Sequence, residues 1–355
     1  MKKIISFSII LLSLNAQYYH EFRTVEALSM GETRLSIYHN TRSFLANPAL
    51  LVGQKAEFNV FSAMIKLDSK AFDYLDFVNS HDQDFKDLEA DKETDTYKNA
   101  LENIQTALRP FENQSIRNQV NFAIGLVRDN FGFMLQEVST LHIRPDILFT
   151  PKFNLSNANE VSVTMGYGRQ ITDKLKLGVN FKFFTKNHIE NLLFDVVRLS
   201  NQDATDFILD TLPAMTTGYS AIIGGLYQFW PDLTFSGVIR NLPGNHLDEN
   251  PGVFFDFGAM YERYGVQAVF EYTDLFNIYE LPFVQHLHFG FRYKIPYVYD
   301  YLEARIGFNQ GFFTAGAGLD LYFFHLNYAF HQKAYSQYLL DEIGKSHVLE
   351  IRFAL

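Results

Sequence analysis

Apolar and polar side chains alternate strictly between residues 160 and 183. The apolar positions are Val161, Val163, Met165 and Tyr167 before a turn at Thr172 and Asp173, then Leu175, Leu177, Val179, Phe181 and Phe183 after it. The positions between them hold polar residues, glycines and lysines. Because successive side chains of a β-strand point to opposite faces, this pattern predicts a β-hairpin with one apolar face and one polar face.

The same alternation returns along most of the chain, in about fourteen segments of roughly ten residues each, which is the length of a tilted transmembrane strand. A soluble β-sandwich would also give alternating strands. The many repeats, together with a secretion signal described below, favour an all-β membrane protein. We therefore expect an antiparallel up-and-down transmembrane β-barrel of about fourteen strands, with its apolar face toward lipid and its polar face lining the lumen.

Two segments break the strand pattern with helical spacing. The first is residues 69–110, where Tyr97, Leu101, Ile104 and Leu108 form one stripe, with Thr94 or Asp95 as the cap and Pro110 after the end. The second is residues 190–213, where Leu193, Val196, Val197 and Ser200 share a helical face. Both segments are expected to be helical insertions between strands of the barrel.

The N-terminus has the pattern of a secretion signal. Lys2 and Lys3 precede a short apolar run, and Ala16 supplies the small residue before a cleavage point at Gln17. We therefore expect residues 1–16 to be a signal peptide and residues 17–355 to be the exported barrel. The apolar run is too short to be a stable transmembrane helix.

Composition is consistent with a membrane barrel and argues against several other classes. Aromatic residues make up 16% of the chain and charged residues 20%, while the mean hydropathy of −0.08 is that of a chain with ordinary polarity. The absence of cysteine excludes disulfides and thiolate metal sites. The net charge of −10 argues against nucleic acid as a partner, since phosphate binding needs clustered basic residues.

Several short motifs lie mostly at glycine and turn positions and include Gly31, Asn47, Pro48, Ala49, Asn241, Asn309 and Gly311. These motifs resemble those of FadL/PorV-type outer-membrane barrels, and the first helical segment is similar to the insert of the conjugal-transfer-type (TraF-like) branch. Leu50 stands where a glycine is usual. The resemblance implies a barrel of about fourteen strands in the outer membrane of a diderm bacterium. It also implies an N-terminal segment, residues 17–53, that turns into the lumen.

Many charged residues occupy the alternate strand positions that are predicted to face the lumen. The candidate lumen-lining residues are Lys176, Lys182, Arg240, Glu271, Arg292, Lys294, Glu303, Arg305, Asp320, Glu350 and Arg352. They are either a selectivity lining or a paired network that fills the barrel, and we prefer the second interpretation. Glycines on the same face leave room for a plug, a curved wall or a ligand.

No catalytic or metal-binding motif occurs in the sequence, so we expect no enzyme activity and no cofactor. His286 and His288 share a strand face, but a polar lumen pair is the better interpretation than a metal site. The first functional hypothesis is a conduit or binding barrel for hydrophobic or small amphipathic solutes. The alternative is a scaffold for envelope, secretion or conjugal-transfer machinery, with the helical insertion binding a protein partner. Outer-membrane lipid is the expected surrounding in both cases.

Overall fold

The computed structural model describes residues 23–88, 90–112, 114–146, 152–195, 215–242, 252–278, 280–295, 301–334 and 343–355. Within them fourteen antiparallel strands pair in sequence order, and the first strand pairs with the last to close a barrel. The strands are β1 (Glu57–Asp68), β2 (Ile116–Arg128), β3 (Phe131–Asp146), β4 (Lys152–Gln170), β5 (Leu175–Asp195), β6 (Thr216–Trp230), β7 (Leu233–Leu242), β8 (Phe254–Arg263), β9 (Val266–Tyr272), β10 (Leu287–Lys294), β11 (Leu302–Asn309), β12 (Phe312–Leu321), β13 (Phe324–Ala334) and β14 (Ile343–Ala354). The predicted barrel is confirmed.

The alternation of the sequence matches the two faces of the barrel wall. In β11, buried residues such as Glu303 and Arg305 alternate with exposed ones such as Ile306 and Phe308. The buried residues point into the lumen, so the exposed apolar side chains cover the outside. An apolar outer surface around a closed barrel is what a lipid environment requires.

The two ends of the barrel differ. One end carries tight turns, such as those at Asp129–Asn130, Tyr264–Gly265 and Tyr322–Phe323, and also the start of β1 and the end of β14. We call it the short-turn end. The other end carries the longer connections, and we call it the long-loop end. Strand lengths are also uneven, since β4 and β5 have 19 and 21 residues while β9 has 7.

Four α-helices accompany the strands in the described part of the chain. Helix α1 (Val25–Ser29) precedes the barrel, and α2 (Lys70–Ser80), α3 (Asp82–Asp87) and α4 (Asp95–Leu108) connect β1 to β2. No described helix is long and apolar enough to cross a membrane.

Helices α2–α4 pack on the outside of the barrel. The hydroxyl of Thr94 caps α4 by accepting a hydrogen bond from the amide of Tyr97 (3.3 Å). The buried stripe of α4 belongs to one apolar cluster with Leu141, Ile143 and Phe153, and Tyr74 of α2 packs against the ring of Phe153. In β3, Leu141 and Ile143 share the parity of the outward residue Leu135. The insertion therefore uses its apolar stripe to cover the outer face of the long strands β2–β5.

The prediction of a second helical insertion over residues 190–213 is wrong for its first residues. Strand β5 continues to Asp195, so residues 190–195 are strand, and residues 196–213 lie outside the described residues. The register between β4 and β5 shifts near Leu155, which pairs with Leu192 while Asn157 pairs with Ile189. An extra residue in β5 interrupts the period of two there. The expected signal peptide also lies outside the described residues.

Candidate functional site in the barrel lumen

Residues 23–53 lie inside the lumen, and we call them the plug. The hydroxyl of Thr24 caps α1 by accepting from the amide of Ala27 (3.1 Å), and short 3₁₀ helices follow at Ser43–Leu45 and Pro48–Leu51. Nearly every residue from Thr24 to Val52 is buried. The plug therefore occupies much of the space that the strands enclose.

Glycines of the wall make room for the plug on two sides. On β5, a Cβ atom at Gly178 would lie 2.5 Å from the carbonyl carbon of Pro48. On β11, a Cβ atom at Gly307 would lie 2.4 Å from the amide nitrogen of Gly31. The other inward glycines that lie against the plug are Gly132, Gly166, Gly168, Gly224, Gly258, Gly290 and Gly316. The plug backbone thus approaches the wall more closely than any side chain would allow.

The residues of the Asn-Pro-Ala motif hold the second half of the plug in shape. The side-chain oxygen of Asn47 accepts from the amide of Ala49 (3.0 Å), which caps the 3₁₀ helix. Its amide group donates to the carbonyl of Leu35 (2.7 Å). Leu50, the departure from the motif, is buried and packs with Leu226 of β6.

The remaining motif residues form turns and contacts at the plug and the wall. Gly31 has a φ of +69° and its amide donates to the hydroxyl of Thr314 (2.9 Å), which ties the turn after α1 to β12. Asn241 (φ +56°) lies near the end of β7, and Gly311 (φ +86°) lies in the turn between β11 and β12. The side chain of Asn309 donates to the carbonyl of Gln332 (3.0 Å).

Buried charges join the plug to the wall. Arg42 forms an ion pair with Glu350 of β14, and both side chains are fully buried. The carboxylate of Glu271 on β9 accepts the backbone amides of Arg34 (2.7 Å) and Leu35 (2.6 Å). Two of the charged residues that the sequence placed in the lumen, Glu271 and Glu350, therefore hold the plug.

Other charges of the lumen set pair with neighbours. Arg292 of β10, Glu303 and Arg305 come together on one wall: Arg305 pairs with Glu303, and the Nε of Arg292 lies 3.9 Å from Glu303. Further pairs are Arg240 with Asp256, Arg352 with Glu57, Lys182 with Glu160, and Asp320 with His325. Lys176 donates to the carbonyl of Val52 (3.2 Å) in the plug. Lys294 is exposed at the short-turn end of β10.

Sequence reasoning missed the charged residues of the plug itself. The carboxylate of Glu26 accepts hydrogen bonds from the side-chain amides of Asn40 (2.8 Å) and Asn327 (3.2 Å). The carboxylate of Glu32 lies 2.9 Å from the imidazole of His331. The available signal was the group of charges between residues 23 and 42, in a segment without helical or strand periodicity. Asp256, the partner of Arg240, could have been found from its inward parity on β8.

The surrounding cations stabilise the buried carboxylates of the plug in their charged form. Burial alone would raise the pKa of Glu32, but the charges of Arg23 and Lys333 and the hydrogen bond with His331 outweigh it and hold the pKa well below its ordinary range. Burial would also raise the pKa of Glu26, but the charges of Arg305 and Arg42 outweigh it and lower the pKa. Burial and the charge of Arg292 lower the pKa of His39 to about 3. The plug therefore presents carboxylates and a neutral imidazole to the basic wall.

A cavity of about 310 Å³ lies between the plug and the wall near the short-turn end. Ile37 and Leu50 of the plug and Leu226 and Met260 of the wall give it an apolar lining. Charged and polar side chains also line it, among them Lys174, Lys176, Glu262 and Gln228. A cavity of this size with apolar surface and a few polar groups suits a small amphipathic or hydrophobic molecule.

The prediction that His286 and His288 share a strand face is wrong, because His286 ends the 3₁₀ helix Phe283–His286 and only His288 lies in β10. Both side chains make contacts within the chain. The Nδ1 atom of His286 lies 2.8 Å from the carbonyl of Thr273, and that of His288 lies 2.9 Å from the carbonyl of Gly31. Among the described residues, no three histidine or carboxylate side chains form a group that could hold a metal ion.

Comparison with known proteins gives similarity at the level of structure. Neither a protein-family model nor a curated protein matches the sequence. The toluene transporter TodX of Pseudomonas putida is similar with a TM-score of 0.53 at 11% identity, covering 96% of this chain and 98% of that one. The monoaromatic hydrocarbon channel CymD gives 0.51 at 9% identity over 97% of both chains. A FadL homologue of Pseudomonas aeruginosa gives 0.50 at 10% identity over 94% and 98%. This chain therefore shares its fourteen-stranded barrel fold with FadL-type hydrocarbon channels.

Proposed function

We propose that this protein is an outer-membrane conduit for hydrophobic or small amphipathic solutes, with the plug controlling passage. The signal-like N-terminus and the barrel fold support export to the outer membrane. The observation that carries the proposal is the partly apolar cavity between Ile37 and Leu50 of the plug and Leu226 and Met260 of the wall. A barrel that served only as a scaffold would have no need of an apolar chamber there.

The composition of the cavity indicates the class of solute. Ile37, Leu50, Leu226 and Met260 offer apolar surface to a ring or a short alkyl chain, since burying such surface is favourable by about 25 cal/mol per Å². Lys174 and other polar groups of the lining can meet a carboxylate or hydroxyl group. Solved structures of similar fold are named as channels for toluene and other monoaromatic hydrocarbons, and we extend that class to this chain.

The scaffold alternative draws no support from the helical insertion. The apolar stripe of α4 is buried against β3 and β4 of the same chain, so it is not free for a partner. The likeness to the conjugal-transfer-type branch rests on this insertion alone. We therefore keep the conduit as the proposed function.

Uptake in cells tests the proposal. The full chain would be expressed in a Gram-negative host without its own long-chain fatty-acid channel, and uptake of a radiolabelled monoaromatic hydrocarbon and of oleate would be measured. We expect faster uptake of at least one solute than in the host with empty vector. Uptake at the level of the empty vector, with folded barrel present in the outer membrane, would reject the proposal.

A pair of neighbouring substitutions tests the cavity. Met260→Trp adds bulk inside the cavity, whereas Tyr261→Trp adds a similar side chain on the outer face of the same strand, where Tyr261 is exposed. We expect Met260→Trp to slow uptake and Tyr261→Trp to leave it unchanged. Equal uptake by the two variants would show that solute does not use this cavity.

A further inference from the structure

The connection between β9 and β10 buries the polar residues Asp274, Gln285 and His286 and exposes most of its large apolar side chains, while Asn277 and Glu280 are also exposed. Five large apolar residues are exposed there: Leu275, Phe276, Ile278, Phe283 and Val284. The two most exposed, Phe276 and Phe283, have 64% and 65% of their surface accessible. We call residues 273–278 and 280–286 the apron.

The buried polar side chains Asp274 and His286 of the apron are hydrogen-bonded within the chain. The backbone amide of Asp274 donates to the carboxylate of Asp256 (2.9 Å), and its side chain accepts from the amide of Ile278 (3.0 Å). The Nδ1 atom of His286 lies 2.8 Å from the carbonyl of Thr273, and its Nε2 atom lies 3.1 Å from the side-chain oxygen of Asn277. This arrangement is the one that backbone and polar side chains need where water is scarce.

The apron lies against the lipid-facing side of the wall. The ring of Phe276 packs edge-on against that of Phe255 of β8 (5.0 Å between centroids), and Phe283 packs against Tyr272 of β9 (5.8 Å). Phe255 and Tyr272 have outward parity, because the residues beside them, Asp256 and Glu271, point into the lumen. The exposed apolar surface of the apron is therefore continuous with the outer surface of the barrel.

The strands beside the apron are too short to span the apolar band alone. With a rise of about 3.4 Å per residue and a tilt of about 40°, the seven residues of β9 reach about 18 Å along the barrel axis. The lipid-facing band of an outer-membrane barrel is about 25 Å tall. A shortfall of this size would bring the ends of β9 and β10 into contact with acyl chains.

We propose that the apron is a membrane-embedded surface that completes the lipid-facing band where β9 and β10 are short. The apron lies at the long-loop end, and its occupant is the acyl chains of the leaflet at that end. The side chains of Phe276 and Phe283 contact these chains directly, while the hydrogen bonds of Asp274 and His286 keep the irregular backbone paired. This inference concerns the outer surface and is independent of whether a solute passes through the lumen.

Site-directed spin labelling tests the proposal. Because the chain has no cysteine, single substitutions Phe276→Cys and Phe283→Cys can be labelled with a nitroxide in the full-length protein and reconstituted in phosphatidylcholine vesicles. Collision rates with oxygen, which concentrates in lipid, and with a water-soluble nickel chelate would be measured. Phe291→Cys on the outer face of β10 is the lipid reference, and Tyr322→Cys in a turn at the short-turn end is the aqueous reference.

We expect both apron labels to match Phe291→Cys, with high oxygen and low nickel accessibility. Two results would overturn the proposal. Nickel accessibility equal to that at Tyr322→Cys would place the apron in water. Low accessibility to both reagents would mean that a protein surface, such as a second copy of the chain, covers it.

Discussion

Arg42 of the plug and Glu350 of the last strand form an ion pair in which neither side chain is exposed to solvent, although 308 residues separate them. Removing one partner of a buried pair leaves an uncompensated charge, which costs about 3–5 kcal/mol. Moving the plug out of the lumen would break this pair and would therefore cost free energy.

A double-mutant cycle at this pair measures its contribution. We expect Arg42→Met and Glu350→Leu each to lower the free energy of unfolding by about 3–5 kcal/mol, and the double variant to lose less than the sum, because it leaves no unpaired charge. Denaturant unfolding in detergent, followed by fluorescence, is the measurement. Additive losses would contradict a direct interaction between the two side chains.

A disulfide across the plug interface tests whether the plug must move. The Cβ atom of Leu51 lies 3.3 Å from the position that a Cβ atom would take at Gly168. This distance is close to the Cβ–Cβ separation of about 3.5–4.5 Å in disulfides. We expect the oxidised double variant Leu51→Cys/Gly168→Cys to take up no solute, and we expect reduction of the disulfide to restore uptake. The two single variants are the controls, and unchanged uptake by the oxidised protein would mean that the plug stays in place during passage.

A bulkier side chain at a wall glycine should displace the plug. A Cβ atom at Gly178 would lie 2.6 Å from the amide nitrogen of Ala49, so Gly178→Val is expected to destabilise plug binding by about 1–3 kcal/mol. The expected result is greater sensitivity of expressing cells to large hydrophilic antibiotics. Gly237→Val is the matched control, because no atom lies within 4 Å of a Cβ at that position. Equal sensitivity of the two variants would argue against close plug contact at Gly178.

Acidification should destabilise the plug through His39. The pKa of His39 is lowered to about 3 by burial and by the charge of Arg292, with a further contribution from Arg305, whereas Glu26 opposes the shift. A histidine in an unfolded chain titrates near pH 6.5. The stability that the neutral imidazole provides is therefore complete above pH 6.5 and is lost as the pH falls toward 3.

Thermal unfolding at pH 7.5 and pH 5 provides the measurement for His39. We expect the wild type to lose up to about 2 kcal/mol more than His39→Gln over this interval, and less if solvent at this half-buried site screens the charge. The carboxylates of Glu26 and Glu32, whose pKa values are lowered, lose their contributions mainly below the ordinary carboxylate range, so they interfere little. An identical pH dependence in the two proteins would exclude His39 as the cause.

The barrel could be predicted from the sequence because each strand carries its own period of two. Ile306 and Phe308 face outward and Arg305 faces inward for reasons that are local to β11. The helical stripe of α4 was also readable, since Tyr97, Ile104 and Leu108 have a period of their own. The second insertion was predicted from the helical spacing of Leu193, Val196, Val197 and Ser200. Only Leu193 of these lies among the described residues, in a part of β5 where an extra residue interrupts the period of two.

The site was less predictable because it depends on contacts between distant parts of the chain. Parity places Glu350 in the lumen but does not indicate that its partner is Arg42. The plug has no periodicity, so the positions of Glu26 and Glu32 could not be inferred from pattern. The cavity arises from the fit between the plug and β5–β9, which no local signal encodes.

The barrel closes where β1 pairs with β14, and the plug joins directly onto the start of β1. Glu350, the partner of Arg42, lies on β14, so one ion pair fixes the plug to a strand of the closing seam. The seam and the plug therefore stabilise each other: separating β1 from β14 would loosen the plug, and withdrawing the plug would weaken the seam.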